Sequence, residues 1–162
     1  MFVLGIMPNL AGRESDAPPI DLAFHYSVDE VYGWIEAYGA AGRHQYIIRE
    51  LTFDVAYPVV YTCLFIGVIG YLIRFEERVR ASTTARTRWF VWLVLLPPVI
   101  WVFGMLENIG IVTMLINYPV VLAPVATLTA WATSIKWSFA GLVAAITILL
   151  VIRKIVMKVR SR

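Results

Sequence analysis

The chain has 162 residues, of which 60% are apolar and 15% charged, with a formal net charge of +3. A typical soluble domain is roughly 45–50% apolar and about 25% charged, and so few charges could not cover the surface of one this size. Composition excludes an ordinary soluble enzyme, a disordered chain and a nucleic-acid-binding domain, and it makes lipid part of the solvent. The charge is also divided. Residues 1–54 carry a net −5 and residues 55–162 a net +8, as expected for short basic flanks beside membrane spans. The one cysteine, Cys63, lies in an apolar run and reads as a small core residue.

Residues 1–19 read as a flexible N-terminal segment. Met1–Met7 is apolar but too short to span and lacks a basic leader, so it is no convincing signal peptide; the polar stretch from Asn9 to Pro19 reads as a linker. Residues 20–50 read as an extracytoplasmic amphipathic cap. Ser27 and Glu30 have capping-box spacing, Val28, Val31, Ile35 and Tyr38 recur at helical spacing, and Gly39 is placed to end the helix. A second helix is expected to open at Gly42-Arg43. The glycines ahead of Arg43 are read first as a tight interhelix turn and second as an anion cradle at a helix N-terminus.

Residues 51–152 read as a transmembrane helical bundle of three spans, Val55–Ile73, Trp89–Ile116 and Pro124–Ile152. Each is close to or above the ~20 residues that a crossing needs. Tyr57-Pro58 and Pro97-Pro98 are expected to kink or reorganise their helices, which requires neighbouring helices to satisfy the freed carbonyls. Tryptophans and tyrosines near the span ends read as interfacial anchors. Residues 153–162 form a basic tail. Arginine density places the 74–88 loop and the C-terminus in the cytoplasm and the N-terminal region outside, in a cell (inner) membrane. The fold class is therefore all-α: an integral membrane bundle of three transmembrane helices with a short amphipathic helical segment on the N-terminal side.

Ionisable groups inside spans are costly, so their positions bound any function. Counted from the cytoplasmic arginines, Asp54, Glu107 and Lys136 fall at one depth, roughly 25–30 Å above the inner boundary at ~1.5 Å per residue, and Asn108 shares that level. On the first span Arg43, Tyr46, Glu50, Asp54, Tyr57 and Tyr61 follow helical steps. On the second, Gly104 and Gly110 flank Glu107 and would let another helix approach closely. On the third, Thr129, Thr133 and Lys136 share a face. Asp54, Glu107, Asn108 and Lys136 thus form an expected intramembrane polar cluster, with Lys136 between Glu107 and Asp54. Arg43, Tyr46 and Tyr57 are candidate anion or headgroup contacts. A lysine and a carboxylate so placed read first as a buried pair fixing helix register, second as a polar site open to the outer surface, and third as snorkelling groups. His25 and His44 lack metal-ligand spacing, and no nucleophile, zinc, thiol or phosphate-loop motif is present, so no metal and no cofactor is expected, and any catalytic residues are unknown, with Asp54, Glu107 and Lys136 the chemical groups if the chain is an enzyme.

Taken together, Gly42-Arg43-x-x-Tyr46, Asp54-x-x-Tyr57-Pro58-x-x-Tyr61, Pro97-Pro98 ahead of Glu107-Asn108, and Tyr118-Pro119 resemble a pattern in small multi-spanning prokaryotic membrane proteins with no assigned activity. The resemblance covers most of residues 25–137. Those proteins carry a further span before the region matching Asp21–Tyr26, which implies an upstream start or a smaller span count here. They often have an acidic residue where this chain has Gly104.

Three functions remain open: a non-catalytic accessory or assembly subunit of a membrane complex, which the reading favours; a membrane enzyme or binding protein for a lipid or small molecule at the outer interface; and an oligomeric transporter or channel subunit. The expected partners are the lipid bilayer and other membrane subunits or further copies of the chain, and no nucleic acid.

Overall fold

The computed structural model describes residues 17–80 and 93–160; the Met1–Met7 stretch and much of the basic 74–88 loop lie outside them. The described residues are all-helical: a 3-10 turn at Ile20–Leu22, α1 at Val28–Ala37, α2 at Gly39–Arg80, α3 at Leu96–Asn117 and α4 at Ala123–Arg160. Three of these helices, α2, α3 and α4, are long and apolar enough to cross a membrane.

Local chemistry sets the ends of α1. The Ser27 hydroxyl accepts from the Glu30 backbone N–H at 3.3 Å, and the Ser27 N–H donates to the Glu30 carboxylate at 2.7 Å, so two otherwise orphaned donors are satisfied. At the far end Gly39 takes φ +64°, a left-handed conformation suited to glycine. The chain turns there and enters α2 directly, three residues before the expected start at Gly42.

The prolines behave in two ways. Pro58 lies inside α2, as expected. Pro97 and Pro98 reorganise the chain locally rather than kink a helix: a turn at Val94-Leu95 precedes them and α3 begins at Leu96, not Trp89. They occupy its first turn, where missing N–H groups cost nothing and a fixed φ favours the helix. Residues 89–92 are outside the described set. Asn117 closes α3, and a short link through a cis Tyr118–Pro119 bond leads to α4.

The chain forms two compact units, Met1–Tyr57 with Phe103–Ile135 and Pro58–Val102 with Lys136–Arg162. Through α2 the chain passes residue 50 unbroken and changes unit between Tyr57 and Pro58. In the first unit Ile20, Tyr26, Val31, Tyr32, Ile35 and Tyr46 bury against Ile111, Met114, Leu115, Ala126 and Ala130. There α3 and α4 cross closely: a Cβ on Gly110 would lie 1.9 Å from Thr129 Oγ1. In the second unit Ile69, Ile73, Ile100 and Val143 form the centre of the packing, with Phe65 and Phe139 against it.

Candidate functional site

The polar residues of the first unit converge on Arg49. Its Nη2 lies 2.6 Å from Asp21 Oδ1 and 3.1 Å from Glu50 Oε1, and its Nε lies 3.2 Å from Asp54 Oδ2. The guanidinium also stacks on the Tyr46 ring at 4.2 Å. One helical turn separates Tyr46 from Arg49, which places ring and cation one above the other on the same face of α2. The Tyr46 hydroxyl donates to Asp21 Oδ1 and accepts from the Ile20 and Asp21 N–H groups. A single side chain therefore pins the 3-10 turn to α2. Tyr38 stacks on Tyr46 with ring centroids 5.3 Å apart and donates its hydroxyl to the Pro18 carbonyl at 2.6 Å. Burial pushes the Tyr38 phenol well above its ordinary pKa, and the Asp21 charge adds to that.

Two carboxylates of this unit are cut off from solvent. Glu50 is 0% exposed, and among the described residues its Oε2 makes no hydrogen bond. Glu107 is 1% exposed, and its Oε1 accepts from the Thr133 hydroxyl at 2.8 Å. Tyr26 is buried in the same unit. Burial raises its phenol pKa far above the usual value, the neighbouring Thr133 hydroxyl lowers it, and the charges of Glu107, Glu50 and Asp21 raise it further.

Asn108 has a specific backbone role. Pro58 has no N–H, so the carbonyl of Asp54, four residues earlier, loses its helical partner. Asn108 Nδ2 donates to that carbonyl at 2.9 Å. A neighbouring helix thus satisfies the carbonyl that the proline frees. Asp54 and Asn108 meet, as their common depth in the sequence suggested, but through the main chain of Asp54.

The remaining expected site residues are placed as follows. Arg43 donates from Nη1 to the Ile35 carbonyl at 3.2 Å, capping the last turn of α1, and lies 4.2 Å over the Tyr118 ring. Tyr57 is exposed on α2. Lys136 belongs to the second unit, where its ammonium lies 5.2 Å from the Trp137 ring centroid, whereas Asp54, Glu107 and Asn108 belong to the first. Among the described residues no three His, Cys, Asp or Glu side chains are grouped to hold a metal ion.

Sequence reading omitted Arg49, Asp21, Tyr26 and Thr133 from the candidate site, and it placed Glu50 only on a stripe. Arg49 carried a usable signal: it follows Tyr46 by three residues and precedes Asp54 by five on the same helix. Asp21 gave none, because its contacts with Tyr46 and Arg49 bridge more than 20 residues of sequence. Chemically the arrangement is an arginine-centred clamp, with carboxylates and phenols holding non-helical backbone against a helix. Comparison of the chain with protein-family models, with curated proteins and with solved structures finds no match.

Proposed function

We propose that the chain is a non-catalytic accessory or assembly subunit of a membrane complex in a prokaryotic inner membrane. The observation that carries this reading is the use of the charged groups: Arg49 is engaged by Asp21, Glu50 and Asp54, and the clamp fixes a segment rather than presenting free chemistry. The apolar surface supports it. Only 11% of the most apolar window of α4 and 22% of that of α2 is buried within the protein. That leaves long helix faces for lipid or for partner helices, which associate in membranes through close packing and interhelical hydrogen bonds. The charge asymmetry of the sequence supports an orientation with the N-terminal region outside and the C-terminus in the cytoplasm.

Purification in mild detergent followed by native mass measurement tests the role. A stable hetero-complex is the expected result, and a monomer with nothing bound would sink it. A symmetric homo-oligomer would favour a transport role instead. Orientation is tested with an impermeant thiol reagent on intact cells: Glu36→Cys should react and Lys158→Cys should be shielded.

A second reading has one observation in its favour. Fully buried Glu50 and Glu107 are unusual in a unit needing only shape, and buried ionisable groups at membrane depth often mark function. On this reading the chain binds or acts on a lipid or small molecule. A co-purifying ligand lost in Glu107→Gln, with folding intact, would favour it over the first.

A further inference from the structure

Residues 18–26, the 3-10 turn with its flanks, expose large apolar side chains on a main chain that is tied down. The Asp21 side chain of this segment points inward: its carboxylate meets Arg49 and Tyr46. Two of the segment's large apolar side chains point outward, Leu22 at 52% and Phe24 at 60% exposure, while Ile20 and Tyr26 are buried in the core. Its main chain is tied down within the protein. Leu22 and Ala23 donate to the Pro19 and Ile20 carbonyls, Ile20 and Asp21 donate to Tyr46, and the Pro18 and Phe24 carbonyls accept from Tyr38 and Ser134. Non-helical backbone needs such internal satisfaction where water is scarce.

The seat of this segment is a candidate membrane span. Ser134 Oγ donates to the Phe24 carbonyl at 2.9 Å, lies 3.0 Å from His25 Nδ1, and belongs to α4. The His25 ring meets Trp131 edge-on at 5.6 Å. Ser134 follows Ala123, the first residue of α4, by eleven positions, which is about 16 Å along the helix. Leu128 and Trp131, one turn apart on α4, are exposed beside this contact. Elsewhere in the unit the surface also carries apolar side chains beside an apolar core that encloses polar ones. Glu50, Glu107, Thr129 and Thr133 are buried while Ile48, Leu51, Ile109 and Leu128 are exposed. Water around the unit would favour the opposite arrangement.

We propose that residues 18–26 are a lipid-facing anchor, seated on α4, with Leu22 and Phe24 inserted at the headgroup–acyl boundary of the bilayer leaflet nearest Ala123. Trp131 and His25 then lie in the aromatic belt that amphipathic rings favour at a membrane surface. The Tyr46–Arg49 clamp holds the segment in register so that its apolar side chains meet lipid. This anchor does not depend on the subunit role, since lipid would bathe the same face in a binding protein.

The test uses the full chain in phosphatidylcholine vesicles. A nitroxide is attached at Phe24→Cys, and separately at Leu22→Cys, in a Cys63→Ala background. Collision with oxygen, which partitions into lipid, is compared with collision with a water-soluble nickel chelate. Labels at Leu142→Cys, exposed on α4, and at Glu36→Cys, exposed on α1, set the lipid and water references. The expected result is an oxygen-to-nickel collision ratio at residues 22 and 24 that lies between those at residues 142 and 36 and exceeds residue 36 several-fold. A ratio equal to that at residue 36 would place the segment in water and overturn the proposal. Low collision with both reagents would also overturn it, showing a second copy or another chain covering the face. Either position decides alone, because both side chains are more than half exposed.

Discussion

The contacts described for the two units differ in kind. The first is fixed by directional contacts: an ion-paired arginine, a tyrosine that accepts two main-chain N–H groups, an asparagine on a freed carbonyl, and a glycine that admits a threonine. The second is described mainly by aliphatic and aromatic packing around Ile69, Ile100 and Val143, with Lys154 donating to the Tyr71 hydroxyl at 3.0 Å on an exposed edge. In lipid, apolar packing has little hydrophobic driving force, because lipid tails compete for the same surface. Hydrogen bonds and ion pairs discriminate between arrangements more sharply, since their loss strands a polar group. The first unit should therefore be intolerant of single changes that leave its apolar content intact, and the second tolerant of them.

The largest test of that contrast is Arg49→Ala. It leaves Asp21, Glu50 and Asp54 without their shared cation, and unpairing a buried charge costs about 3–5 kcal/mol. Lysine should restore only part of this, because a point charge cannot reach three carboxylates as a planar fork does. Lys154→Ala in the second unit removes an exposed hydrogen bond and cation–π contact and should cost no more than about 1 kcal/mol. Unfolding in a denaturing-detergent titration measures all three, and equal losses for Arg49→Ala and Lys154→Ala would erase the distinction.

Two smaller effects concern helix crossings in the first unit. Gly110→Ala drives a methyl group into Thr129 and should cost about 1–3 kcal/mol. Adding Thr129→Gly removes the obstructing side chain and should recover part of the loss, so the pair should deviate from additivity. Asn108→Ala strands the Asp54 carbonyl, at about 1–3 kcal/mol. In a Pro58→Ala background residue 58 regains an N–H for that carbonyl, so the same Asn108→Ala change should become much cheaper. Equal cost in both backgrounds would remove the proline from the explanation.

Much of the fold was legible because it follows from local chemistry. Hydropathy gave three spans, the Ser27–Glu30 spacing gave the start of α1, and Gly39 gave its end. The Pro97-Pro98 pair marked a local reorganisation but not the start of α3, because sequence cannot say whether a proline lies in a helix interior or its first turn, and helix boundaries are the weakest part of any such reading. In the site, common depth drew attention to Asp54, Glu107 and Asn108, since helical rise converts residue number into height. The Arg49 clamp was not legible, because depth along one helix says nothing about which non-helical segment folds against it. Asp21 looked like part of a solvated acidic cap, and its carboxylate turns inward instead. Arg43, read as an anion contact, caps a helix, a role visible only once α1 and α2 meet at Gly39.

The smallest expected effect belongs to the contact most nearly independent of both units' interiors. The Ser27 backbone N–H, and then its hydroxyl, hold the Glu30 carboxyl below the ordinary glutamate pKa. A carboxylate whose folded pKa is depressed binds protons less readily folded than unfolded. Its contribution to stability is therefore fully present above the unfolded pKa, and it is lost as pH falls through the lower folded value. Acid should accordingly fray the first turn of α1, and amide exchange at Asp29 and Glu30 should rise relative to the rest of α1 over that interval. Ser27→Ala removes the hydroxyl and with it part of the depression. The onset of fraying should then move to higher pH, because the carboxylate titrates closer to its unfolded value. An onset unchanged by Ser27→Ala would assign the acid sensitivity to a carboxylate elsewhere, and the clamp would be the first place to look.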